Sequence, residues 1–119
     1  MQRVFLKGKI HRATITECNL HYEGSLTIDG KLMETAGIHP YEKVEVYNIT
    51  NGNRFSTYLI EGKRGSGVIG VNGAAAHLAH PGNLIIVTSY AMIYEDELPG
   101  YKPKIVLLDS HNKVKRVIS

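Results

Sequence analysis

The residues able to do chemistry sit in a few short stretches. In "HYEGSLTID" (21–29), a bare Gly24-Ser25 pair follows a histidine, an aromatic and an acid. Glycine has no Cβ, so its carbonyl can be approached closely and its backbone can be strained. The Ser25 hydroxyl could then attack the Gly24 carbonyl, given a donor for the oxyanion. A surface turn is the plainer account of the same two residues. In "NGNRFSTY" (51–58), period-two alternation puts Arg54, Ser56 and Tyr58 on one strand face and Phe55 and Thr57 on the other. Arg54 offers a planar fork that holds a carboxylate through two hydrogen bonds, and Tyr58 offers a phenolic proton. Lys9 and His11 share one face of their own strand and extend this polar set.

Three further stretches divide between chemistry and structure. Small side chains at 73–76 in "NGAAAH" leave the first amide N–H groups of a short helix uncovered, where a carboxylate could dock. A tight contact between helix and barrel explains the alanines equally well. "GSGVIG" (65–70) matches a dinucleotide fingerprint letter for letter. Charged "EGKR" precedes it and strand-like "VIGV" follows, so a glycine-rich bend between strands is the better reading. His77 and His80 are three apart with no third ligand nearby, which points to surface or supporting groups and to no metal site.

The elements that must position these residues are mostly short strands. Alternation marks strands around Val4 and Leu6 and again from Ile10 through "KIHRATITECNL". "KVEVYNIT" and "RFSTYLIEG" flank Asn51-Gly52, whose tolerance of positive φ predicts an antiparallel hairpin. "SGVIGV", "NLIIVTSYAMIY" and "PKIVLLD" add three more runs, the last two apolar enough to expect burial on both faces. Helix is limited to "GKLMETAG" (30–37), closed by Gly37, and "NGAAAHLAH" (72–80), begun by Asn72 and stopped by Pro81-Gly82. Many short strands and two helical inserts predict a mainly β chain, a closed or nearly closed barrel without exposed edges.

Bulk properties narrow the class. A length of 119 residues suits a single domain, residues 1–119, with one core. No apolar run approaches the roughly 20 residues of a membrane span, and the start lacks the apolar core of a secretory signal. The expectation is therefore a cytoplasmic protein with no membrane partner. Cys18 is the only cysteine, which excludes an internal disulfide and points to a buried structural thiol. The net charge of +3 is dispersed, favouring small anionic ligands over nucleic acid.

Taken together, "GKIHRATIT", "LHYEGS", "TNGNRFSTY", "RGSGVIGVNGAAAH" and "PGNLIIV" resemble the pyruvoyl-dependent aspartate decarboxylases, from about residue 3 to about residue 109. The tail beyond Asp109 reads as variable. The resemblance implies a double-psi β-barrel protomer in a homotetramer, made as an inactive precursor that cuts itself between Gly24 and Ser25. The products would be a β chain of residues 1–24 and an α chain of residues 25–119, headed by a pyruvoyl group made from Ser25. That covalent group would be the only cofactor, with neither a metal nor pyridoxal phosphate. It would condense with L-aspartate as a Schiff base, driving decarboxylation to β-alanine for pantothenate and coenzyme A synthesis. By the same resemblance Thr57 stabilises the oxyanion during cleavage and also lies in the substrate site. Lys9, Arg54 and the backbone of Gly73, Ala74 and Ala75 bind substrate, and Tyr58 donates the proton. His11, Tyr22 and Asn72 surround the site. Two other readings stay open: a small basic barrel that binds a partner through Arg54, Tyr58 and Tyr22, and a precursor that stays whole until a maturation factor acts.

Overall fold

The computed structural model describes every residue from Met1 to Ser119. Nine strands join in the order β2-β6-β3-β5-β4-β7-β1-β8-β9. They are β1 (Gln2–Thr14), β2 (Glu17–Asn19), β3 (Ser25–Asp29), β4 (Lys43–Asn48), β5 (Arg54–Gly62), β6 (Ile69–Asn72), β7 (Leu84–Tyr94), β8 (Lys104–Leu108) and β9 (Val114–Ile118). Most neighbours are antiparallel, but β3 runs parallel to β5, β1 to β8, and β2 to β6. Parallel pairs require crossovers, and the one between β3 and β5 is helix α1 (Gly30–Ala36) followed by β4. The sheet curls about one core in which alternate residues meet, among them Ile10, Leu26, Ile28, Val44, Val46, Leu59, Val71 and Val87. This is the mainly β barrel expected, although β2 and β9 remain as edges of the strand order.

Local chemistry explains the boundaries. Asp29 caps α1 by accepting the Lys31 N–H at 2.9 Å, and Gly37 ends it with φ 71°. Both Asp29 oxygens are used, since Oδ1 also accepts from Gly65 N and Oδ2 from Gly67 N, each at 2.9 Å. The glycine-rich 65–70 run is thus a bend between β5 and β6 whose amides grip a carboxylate of the protein itself. Buried Asn112 plays a matching part, bonding Thr14 through both its amide atoms and donating to Gly67 O.

Several expectations need correcting. β7 is covered on both faces only as far as Ser89, since Met92 is 62% exposed and Tyr94 53%, and on β8 Ile105 and Leu107 are only half-buried. The β4–β5 hairpin forms, but residues 49–53 make a longer loop in which only Gly52 takes positive φ. The second helix is a 3-10 turn over Gly73–His77, and the Asn72 side chain does not cap it. The tail beyond Asp109 is ordered as β9, an edge strand whose residues are all exposed. Cys18 is only half-buried and donates its thiol to Ala79 O. No helix is long and apolar enough to cross a membrane.

Candidate active site

The site begins at the first residue of β3. Ser25 is 1% exposed, whereas Gly24 before it is open, with nothing within 4 Å of a Cβ built there. Gly24 lies outside the left-handed region, so it shows no left-handed strain, and the side a Cβ would occupy is open. The Ser25 hydroxyl donates to Glu23 O at 3.2 Å and accepts from Asn72 Nδ2 at 3.0 Å. The same amide nitrogen donates to Thr27 Oγ1 at 3.0 Å. Antiparallel pairing of β3 with β6 sets this up, because Ser25 stands opposite Asn72 in register. A cavity of about 300 Å3 opens in front, lined by Tyr22, Glu23, Ser25, Thr27, Ile60 and Asn72.

Gly73 follows with φ 70°, where an L side chain is strained. A Cβ there would lie 2.7 Å from both N and Cα of Gly24 and 3.0 Å from Tyr22 O. The 3-10 turn therefore packs its backbone directly against the Gly24-Ser25 segment. Ala74 is exposed at the rim, while Ala75 and Ala76 lie against the barrel core.

Tyr58 reaches the same neighbourhood through β5. The parallel β3–β5 ladder begins at Leu26 opposite Leu59, so Ser25 and Tyr58 are each the residue before it. Alternation then turns Ser25, Thr27, Tyr58 and Ile60 away from the core. The Tyr58 ring stacks on Tyr41, with centroids 6.3 Å apart. Thr57 pairs with Val44 on the opposite face, and the β4–β5 ladder shows no bulge that would rotate it round. Strict alternation therefore holds, and no hydrogen bond joins Thr57 to Ser25.

The cationic residues gather elsewhere. Register across four strands aligns Lys9, Thr88, Glu45 and Ser56 in one row and His11, Ile86, Tyr47 and Arg54 in the next. Arg54 lies four residues before Tyr58 along β5, roughly 13 Å at a strand's rise per residue. Lys9 lies three strands further over, roughly 14 Å from Ser56 at the usual strand spacing. Burial, with Lys9 and Arg12 adding like charge, pushes His11 below the usual imidazole range. Its Nδ1 is buried without a partner.

Two of these contacts escaped the sequence reading. Thr27 is two residues from Ser25, so period two alone would have put it on the same face. Tyr47, whose ring lies under the Arg54 guanidinium, emerges only by counting back across the hairpin. His77 and His80 are exposed, and no group of three His, Cys, Asp or Glu side chains is placed to hold a metal ion. The largest hollow, about 480 Å3 beside Asp29, Lys31 and Lys113, lies at the far end of β3 from Ser25.

The aspartate decarboxylase family model matches residues 1–115. The chain belongs to the aspartate decarboxylase family. The match reaches past Asp109, which bounds the resemblance, and takes in the start of β9. Among curated relatives, the aspartate 1-decarboxylase of Ralstonia pickettii (strain 12J) is 55% identical over 117 residues, covering 98% of each chain. That of Thermoanaerobacter pseudethanolicus (strain ATCC 33223 / 39E) is 57% identical over 113 residues, 95% of this chain and 97% of its own. That of Syntrophobacter fumaroxidans (strain DSM 10017 / MPOB) is 58% identical over 113 residues, 95% of this chain and 91% of its own.

Proposed function

We propose that the chain is a carboxy-lyase that converts L-aspartate to β-alanine and CO2 for pantothenate synthesis, after cutting itself between Gly24 and Ser25. The observation that carries this reading is the Ser25 hydroxyl, buried directly after an exposed glycine and held by an amide donor. Ser25 Oγ attacks the Gly24 carbonyl carbon, the C–N bond breaks, and an ester replaces the amide. Loss of the residue-25 α-proton then expels Gly24 as a carboxylate, and water displaces ammonia to leave a ketone. Asn72 holds the nucleophile, and Thr57 is the candidate donor to the oxyanion on the strength of the resemblance alone.

The surroundings suit such a prosthetic carbonyl, since the new chain start would be buried, beside an amide donor and open to a lined cavity. The pyruvoyl group supplies the electron sink for the pair left when CO2 departs, the work that pyridoxal phosphate does elsewhere. Arg54 binds one substrate carboxylate, Lys9 is a second cationic partner, and the amides of Gly73, Ala74 and Ala75 complete the site, with His11 and Tyr22 around it. Clamping the side-chain carboxylate leaves the α-carboxylate as the one lost. The Tyr58 hydroxyl gives its proton to the substrate α-carbon.

A homotetramer, working in the cytoplasm, makes these roles compatible. Lys9 and Arg54 are set apart along and across the sheet from Ser25 of their own chain. A neighbouring copy supplies them, and exposed Val4, Met92 and Tyr94 on the β1–β7 ribbon give copies an apolar surface to bury. Intact mass under denaturing conditions tests the central step. Two fragments, 1–24 and 25–119, are expected, and Ser25→Ala should stay whole and lack decarboxylase activity. A wild-type chain still whole after prolonged incubation would be a precursor needing a maturation factor. Activity in the uncut Ser25→Ala chain would overturn the reading.

A further inference from the structure

Arg54 opens β5 directly after the 49–53 loop, and its partner across the ladder is Tyr47. Its guanidinium carbon lies 4.6 Å from the Tyr47 ring centroid. That is within the roughly 6 Å over which a cation is drawn to an aromatic face. Arg54 takes part in no ion pair, and the acid nearest along its strand pair, Glu45, is bonded by Ser56. The ring under it is fixed in turn. Tyr47 and Tyr90 share a hydroxyl-to-hydroxyl hydrogen bond at 3.1 Å. The hairpin base is pinned by buried Asn48, whose Nδ2 donates to Leu78 O and Asn83 Oδ1 and whose Oδ1 accepts from Thr50 N and Asn51 N.

We propose that Tyr47 is a positioning residue for substrate binding, its ring holding the Arg54 guanidinium by one face so that the N–H edge stays free for a carboxylate. The proposal rests on Arg54 as the carboxylate binder. An exposed arginine otherwise loses much rotamer freedom when it closes on a ligand, and a stack formed beforehand removes part of that loss. Stacking uses the π face of the guanidinium, whereas the fork donates in the plane, so one partner does not displace the other. Tyr47 acts here through Arg54. It therefore changes affinity for the dicarboxylate and not the chemistry at Ser25 or Tyr58.

The test uses the full chain, with kinetics expressed per pyruvoyl group so that incomplete cleavage does not enter. Two quantities are read for each variant: KM for aspartate, and Kd by calorimetry for succinate, a dicarboxylate with no amine to condense. Tyr47→Leu should raise both by about 3- to 5-fold, the size of an exposed cation–π contact, with kcat changed less than about twofold. Tyr47→Phe, which keeps the face and loses the hydroxyl, should restore most of the affinity. In an Arg54→Ala background Tyr47→Leu should add nothing. If Tyr47→Leu folds poorly by thermal melting, Tyr47→Met takes its place. Should Arg54→Ala weaken succinate while Tyr47→Leu does not, the positioning role is wrong and Arg54 keeps its own. An equal loss from Tyr47→Leu with Arg54 already gone would also overturn it, since Tyr47 would then act without Arg54. Unchanged KM and Kd in Arg54→Ala would remove the carboxylate role from Arg54 and the proposal with it.

Discussion

The surroundings of Ser25 and the adjacent rows carrying Lys9, His11 and Arg54 are built on opposite principles. At Ser25 the hydroxyls are partnered inside the chain: that of Ser25 has Glu23 O and Asn72, and the Asn72 amide nitrogen also serves Thr27. Backbone closes in as well, with Gly73 against Gly24. Along the rows, Arg54 is exposed and free of ion pairs, and His11 keeps a buried nitrogen without a partner. One region is bonded within a protomer, as the proposed reaction of the chain upon itself requires, although Thr57, the expected oxyanion donor, lies on the other face. The other is left unsatisfied, as suits a surface that must take a ligand or face another copy.

Tyr58 is where the two regions meet, one residue before the β3–β5 ladder and on the same strand as Arg54. If the self-cleaving region is self-sufficient, Tyr58→Phe should leave the 24/25 cut intact while lowering kcat. The loss expected for a general acid is about 10²- to 10⁴-fold. Fragment masses and single-turnover CO2 release check it together. A normal kcat would remove Tyr58 from catalysis, and a blocked cut would join regions that the structure keeps apart.

Gly73→Ala strikes the Ser25 side first, although the Gly73 amide is also proposed to belong to the substrate site. The new methyl would meet Gly24 at 2.7 Å and occupy a φ of 70°. Both push the scissile segment away from Asn72. A displacement of about 1 Å in a reacting pair can cost on the order of 100-fold, so the cut should slow by about that much. A time course of fragment formation in freshly purified protein measures it. In whatever fraction is cut, KM for aspartate should move less than the cleavage rate, because Arg54 and Lys9 are untouched. Normal cleavage would mean that the Gly24–Gly73 contact is not needed for the attack.

What could be read in advance divides along the same line. The β4–β5 hairpin, α1 with its Gly37 stop, and the shared face of Lys9 and His11 follow from local pattern, and all are present. Gly24-Ser25 stood out as a pair because neither neighbour made it a hairpin. Asn72 looked like a helix cap, since asparagine before a helical run normally is one. Its amide instead turns to Ser25, a partner 47 positions away, and no local pattern holds that contact. β7 looked buried because its run is apolar, yet Tyr90, Met92 and Tyr94 face outward where copies could meet. β9 was missed because "VKRVI" is short and its apolar residues do not alternate, and its pairing to β8 supplies order that this pattern does not.

The smallest expected effect tests whether the ordered side owes its rigidity to the other end of β3. Asp29 is 4% exposed and accepts three backbone N–H groups. Burial alone would raise its pKa, but the bonds from Gly67, Gly65 and Lys31 outweigh it and hold the carboxyl below the usual range. A lowered folded value means that the unfolded chain binds the proton more readily. The stabilisation is therefore complete above the unfolded value of about 4 and drains away as pH falls through the folded one. Asp29→Asn turns one acceptor oxygen into a donor facing an N–H, at a cost of about 2 kcal/mol at neutral pH. Thermal melts from pH 7 down to pH 2 should show a lower, flatter profile for the variant, with KM unchanged in the cut enzyme. If KM rose in step with the lost stability, the open rows would depend on the β3 scaffold, and the contrast between the two regions would be one of exposure alone.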